Sequence, residues 1–169
     1  MQTISVKCKL QVPVELRNEI DRTLTGFADA CNQIYETAFR ENCWNTTKLH
    51  HLVYKPIRET TGLKANHVCQ AIRRVIGNAK AVKQVHKFRP TSLNLDVRTF
   101  QYIEELQTVG VTLMCGRVKL NRHYYKISDQ MKFNENALYF VNFITILIIF
   151  VVIHKVGKIY YQISPHRLQ

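Results

Sequence analysis

From Thr60 to Leu95 the sequence contains neither Asp nor Glu, although it carries Lys64, Arg73, Arg74, Lys80, Lys83, Lys87 and Arg89. A solvated face normally mixes both signs, so a stretch of one sign points to a polyanionic partner. Acids are scarce throughout: 12 Asp and Glu stand against 24 Lys and Arg, a formal charge of +12 and a pI near 9.7. That balance favours nucleic acid or an anionic membrane as partner. The five cysteines, Cys8, Cys31, Cys43, Cys69 and Cys115, are odd in number and include no C-x-x-C pair. This argues against a disulfide framework or zinc site and for reduced, small core residues of a cytoplasmic protein. The opening "MQTISVKCKL" has no apolar core of a signal peptide. With 46% hydrophobic and 21% charged residues the chain is not disordered, and 169 residues suffice for one domain with a core, or for one domain and a dependent tail.

Periodicity supplies the elements. Ile4, Val6, Cys8 and Leu10 alternate with polar residues, the pattern of a half-buried strand ended by Pro13. Leu16, Ile20, Leu24, Phe27, Cys31, Ile34 and Ala38 then recur every third or fourth residue and predict one long helix over Val14 to Arg40. A second helix carries Leu49, Leu52, Val53 and Ile57, with Thr46 or Thr47 as N-cap, Pro56 expected to kink or split it, and Gly62 closing it.

The third helix, Lys64 to Gln84, places Val68, Ile72, Val75, Ile76 and Ala79 on an apolar stripe. Its opposite face reads Asn66, Gln70, Arg73, Gly77, Lys80 and Gln84, with Arg74 beside it. A glycine in a helix interior costs about 1 kcal/mol relative to alanine, so Gly77 in a basic face suggests close approach of a phosphate-sugar backbone. Asn66, Gln70, Arg73, Arg74, Gly77, Lys80, Lys83, Lys87 and Arg89 are accordingly the candidate nucleic-acid-binding residues. The competing reading is an ordinary solvated face.

Beyond Pro90 the period returns to two. Leu93, Leu95 and Val97 alternate, but the next large apolar residue arrives one place late as Phe100, which implies a bulge or strand edge near Arg98. "VGVTLMCGRVKL" predicts a hairpin with Cys115 and Gly116 in its turn. The fold class expected is α+β: a small β-barrel built from residues 1–13 and 90–121, a helical lobe over 14–89 inserted into it, and a tail over 122–169. The first strand should pair with strands between 92 and 121.

Three segments in this order, "ISVKCKLQVPVELRNEIDRTLTGFADACNQIYE", "LVYKPIRETTGLKANHVCQAIRRVIGNAK" and "FRPTSLNLDVRTFQYIEELQTVGVTLMCGRVKL", resemble the N-terminal half of TnpB, the OrfB-type transposon-encoded RNA-guided DNA nuclease related to type V CRISPR effectors. The resemblance implies a wedge-type β-barrel, a helical recognition lobe, and guide RNA and DNA as partners.

That family's chemistry belongs to an RNase H-like half with three metal-holding carboxylates, opened by a G-I-D-x-G strand, and to a zinc ribbon with two C-x-x-C pairs. Neither pattern occurs here, and after Leu120 the acids are Asp129 and Glu135. The expectation is therefore a truncated or decayed copy that is not an enzyme, uses no cofactor and has no catalytic or metal-binding residues. The histidines are scattered, and adjacent His50 and His51 point about 100° apart on a helix. The tail holds a second reading. "ALYFVNFITILIIFVVI", residues 137–153, is uncharged and at the short limit for a membrane span, which suggests a basic single-span, membrane-associated protein. Against it, Val151 to Ile153 and Ile159 to Ile163 look like a hairpin of scrambled barrel sequence around a Gly-centred turn.

Overall fold

The computed structural model describes residues 4–82, 87–103, 106, 108–123, 149–154 and 158–163. Helix α1 spans Val14–Arg40, as its periodicity predicts, and is about 40 Å long. Pro13 occupies the N-cap position, Glu15 lies in the first turn and Arg40 in the last, charges that suit the two ends of the helix dipole. Helix α2 covers Thr46–Thr61. Its N-cap is Asn45 rather than Thr46 or Thr47: the Asn45 Oδ1 accepts the N–H groups of Thr47 and Lys48 at 3.0 and 3.1 Å, so the amide oxygen one residue upstream takes the orphan donors. Pro56 does not split the helix. It lies on the exposed side, where water can take the carbonyl it leaves free. Gly62 ends α2 at φ 68°, the left-handed cap that glycine supplies without strain. Helix α3 runs Ala65–Ala81.

Strands β1 (Ile4–Gln11), β2 (Asn94–Leu95), β3 (Phe100–Ile103), β4 (Thr108–Thr112), β5 (Arg117–His123), β6 (Ile149–His154) and β7 (Lys158–Ile163) form one antiparallel sheet in the order β2-β6-β7-β1-β5-β4-β3. The first strand pairs with β5, Leu10 opposite Arg122, as expected, and with β7 on its other side. The β4–β5 hairpin turns at Leu113 to Gly116. In β6 and β7, Val151 faces Tyr161 and Ile153 faces Ile159, so the two tail segments pair as a hairpin.

The late arrival of Phe100 has a physical cause. Asp96 Oδ1 accepts the N–H groups of Arg98 and Thr99, each at 3.0 Å, and the Thr99 hydroxyl at 2.8 Å. This side-chain turn bends the chain between β2 and β3, sending the first to β6 and the second to β4. The described ladders do not close the expected barrel: β2 and β3 are the two edges, and the bend that joins them replaces ladder hydrogen bonds.

One core joins helices and sheet, from Leu24, Phe27 and Ile34 through Val68, Ile72 and Val75 to Leu95, Val111 and Leu120. The hairpin turn docks on α1, where Met114 N–H donates to Thr23 Oγ1 (3.2 Å) and Cys115 N–H to Glu19 Oε1 (3.1 Å). Cysteine placement departs from the expectation of uniform burial. Cys31 is buried, Cys43 and Cys69 are half-buried, and Cys115 is exposed in the turn, where no core exists to receive it.

Among the described residues no helix is long and apolar enough to cross a membrane. Of the 137–153 segment, residues 137–148 lie outside the described residues, and 149–153 belong to β6.

Candidate nucleic-acid interface

The outer surface of α3 divides into two parts. Arg73, Gly77 and Lys80 are exposed, and Asn66 is half-buried on the same side. Their spacing of four and three residues sets Arg73, Gly77 and Lys80 in one line along the helix, about 10 Å from end to end. Among the described residues the ion pairs are Arg22 with Glu19 and Arg40 with Glu41, so Arg73 and Lys80 have no acidic partner. An alanine Cβ at Gly77 would meet nothing within 4 Å. Packing among the described residues thus does not demand the glycine, and it leaves the backbone bare between two cations.

Gln70 and Arg74 do not belong to that line. Gln70 is 1% exposed and donates from Nε2 to Asp96 Oδ2 at 3.0 Å. Arg74 donates through Nη1 to the Ser92 carbonyl (2.9 Å) and through Nη2 to Ser92 Oγ (2.7 Å), with Asn94 Oδ1 at 3.4 Å. Its guanidinium carbon stands 5.6 Å from the Phe27 ring centre and 5.9 Å from that of Phe88, within cation–π range. Both side chains tie α3 to the strand that follows, and their donors are spent inside the protein.

This tie also places two other candidates. Asn32 on α1 grips Phe88, accepting its N–H at 2.8 Å and donating to its carbonyl at 3.1 Å. With Phe88 held by Asn32 and stacked on Arg74, the flanking Lys87 and Arg89 stand exposed beside the helices. Lys83 lies outside the described residues. Sequence reasoning missed Asn32, Ser92 and Asp96. The available signal was Asp96, the acid that immediately follows the acid-free stretch.

Asp96 answers part of the charge imbalance. Burial pushes its carboxyl upward, but hydrogen bonds from the Thr99 hydroxyl, Gln70 and the N–H groups of Arg98 and Thr99 outweigh this and hold it below the usual carboxylate value. Near it, His67 is fully buried and its Nε2–H donates to the Thr112 carbonyl at 3.0 Å. That fixes the tautomer and leaves Nδ1 buried without a partner among the described residues. Burial lowers the His67 pKa below 6.5, more than Thr112 and Asp96 raise it.

A depressed histidine pKa has a defined stability signature. Below pH 6.5 the unfolded chain takes a proton that folded His67 refuses, so stability is intact above that pH and falls as pH drops through it. Denaturant melts should show a loss approaching, at most, about 1.4 kcal/mol per pH unit below the inflection. His67→Gln should flatten that part of the profile. An unchanged profile would assign the slope to other groups.

Burial pushes the Cys31 thiol up to about 12, against a smaller lowering by the charge of Arg74, so that it stays protonated at neutral pH. Among the described residues no three His, Cys, Asp or Glu side chains gather where they could hold a metal ion. His50 and His51 meet edge-on, at 88° and 5.8 Å between ring centres, while His50 stacks on Tyr54.

The described side chains thus form an unpaired cationic line with a bare backbone at its centre, backed by an internal polar clamp. No protein-family model matches the chain, and no curated protein matches it.

Proposed function

We propose that this chain is a nucleic-acid-binding lobe, of the kind found in the N-terminal half of TnpB, that grips the phosphate backbone of RNA or DNA without reading bases and carries out no cleavage within these 169 residues. One observation carries the reading: the acid-free stretch folds so that Arg73 and Lys80, with Lys87 and Arg89, are exposed and, among the described residues, unpaired. The acids of the helices are concentrated instead on α1, at Glu15, Glu19, Asp21, Asp29 and Glu36, which leaves α3 as the anion-seeking side. The bent chain from Asn94 to Ile103 links the two edge strands of the sheet, an arrangement in keeping with a wedge-type lobe although the described ladders leave the sheet open.

Binding of RNA, duplex DNA and an RNA–DNA hybrid, measured across salt concentrations in Mg²⁺ or Mn²⁺, tests this directly. The expected result is affinity that falls steeply with salt, differs little between sequences, and leaves the nucleic acid uncut. Salt-independent binding, or none, would overturn the proposal.

Gly77 adds a finer test. Since a Cβ there meets open space, Gly77→Ala should stabilise the fold by up to about 1 kcal/mol. It should also weaken binding, because the methyl occupies the gap where phosphate approaches. Higher stability with unchanged affinity would remove Gly77 from the interface.

A further inference from the structure

The cationic line ends at a hollow of about 240 Å³ between the C-terminal ends of α1 and α3. Tyr35 and Phe39 of α1, Trp44 from the segment after it, Ile76 and Lys80 of α3, and Val82 line it. Tyr35 lies at the centre of the aromatic group, 6.3 Å from the Phe39 ring and 5.9 Å from the Trp44 ring, the first pair stacked at 30°. Phe39 is 70% and Val82 49% exposed. Such exposure of a large aromatic beside two others is costly in water unless a partner covers it.

We infer that this hollow receives an unstacked nucleobase of a single strand whose backbone follows Arg73, Gly77 and Lys80, an inference that rests on the nucleic-acid reading above. Three observations select this occupant. Lys80 belongs both to the cationic line and to the hollow's lining, so a phosphate on it sets the adjoining base against the rings. Among the described residues no Asp or Glu lines the hollow, and Glu41, close to Trp44 in sequence, is engaged by Arg40 at 2.9 Å. The aromatic group matches one planar ring rather than a protein partner, which would need about 800 Å² on each side. A lipid-binding helix would put its aromatics opposite its lysines, whereas here they share one hollow. Bases in a duplex are stacked on each other and have no free face to offer, so the hollow selects single strands.

Trp44 is the sole tryptophan, which makes its fluorescence a reporter of the hollow in the full chain. A single-stranded oligonucleotide should quench it at saturation, and a blunt duplex of equal length should not. Phe39→Ala, a change at an exposed position, should weaken single-strand binding roughly 5- to 100-fold. It should leave the salt slope and duplex affinity as they are, and Phe39→Tyr should restore binding. Salt-dependent binding with a silent Trp44, or a Phe39→Ala protein that holds single strands as well as the parent, overturns the base site and leaves the phosphate-gripping reading standing. Absence of binding to every oligonucleotide overturns both. Quenching by anionic phospholipid vesicles, with oligonucleotides inert, would assign the hollow to lipid and overturn it as well.

Discussion

Arg74→Met lowers the stability of the fold by about 2–4 kcal/mol, read as a shift in denaturant midpoint at constant slope. The magnitude follows from what the guanidinium does. It makes charge-assisted hydrogen bonds to the carbonyl and hydroxyl of Ser92, and a bond to a charged group contributes about 1.5–3 kcal/mol. Ser92 is itself only 6% exposed, so its carbonyl would be left in the interior without a donor. Loss of the contacts with Phe27 and Phe88 adds to the effect. Methionine keeps the apolar length of the stem and replaces none of the donors. Arg74→Lys should recover little, because a compact, strongly hydrated ammonium has neither the paired Nη donors nor the flat face that the guanidinium offers to Ser92 and the two rings. A Met variant as stable as the parent, with a reduced salt slope for binding, would return Arg74 to the nucleic-acid surface.

Why the sequence alone put Arg74 and Gln70 in the wrong environment is a matter of helical geometry. At 100° per residue, Gln70 and Arg74 lie about 20° and 60° round from Gly77 toward His67, whereas Arg73 and Lys80 lie about 40° and 60° the other way. The apolar stripe of α3 is symmetrical enough that either flank could face water. The chain on either side of β2 covers the His67 flank, and it covers it with polar groups, the carboxylate of Asp96 and the carbonyl and hydroxyl of Ser92. A flank buried against polar partners leaves no hydrophobic trace in the helix that is buried, so periodicity had nothing to report there.

Where burial is apolar, the pattern was sufficient. The stripe of α1 from Leu16 to Ala38 locates the helix to the residue, and nine of its side chains are buried. The alternation slip before Phe100 marked the bend between β2 and β3, although its cause, the Asp96 side chain capping three donors two and three residues on, is a local turn that hydrophobic periodicity does not reveal. The aromatic hollow was illegible for a different reason. Tyr35 and Phe39 are spaced as any surface pair on a helix, and they acquire meaning from Trp44, Lys80 and Val82, which come from two other segments.

Replacing Arg73, Lys80, Lys87 and Arg89 together by glutamine is expected to lower nucleic-acid affinity by roughly a hundredfold to a thousandfold near 0.1 M salt while leaving the fold nearly unchanged. All four are exposed and, among the described residues, unpaired, so their removal strands no buried acid. Each phosphate contact contributes about 0.9 to the slope of log K against log salt on duplex DNA, or about 0.7 on a single strand. If all four are contacts, the slope should shrink in magnitude by about 3. Arg74 is left intact because its loss would mix a folding effect into the binding one. Arg17→Gln with Arg22→Gln serves as control, since these cations sit on the acid-rich helix and one of them already faces Glu19 at 3.7 Å. Their removal lowers the net charge but should alter the slope by much less per charge. Equal effects per charge from the two sets would mean that the protein attracts nucleic acid through its overall field alone. An unchanged slope in the fourfold variant would place the binding surface on another face of the molecule.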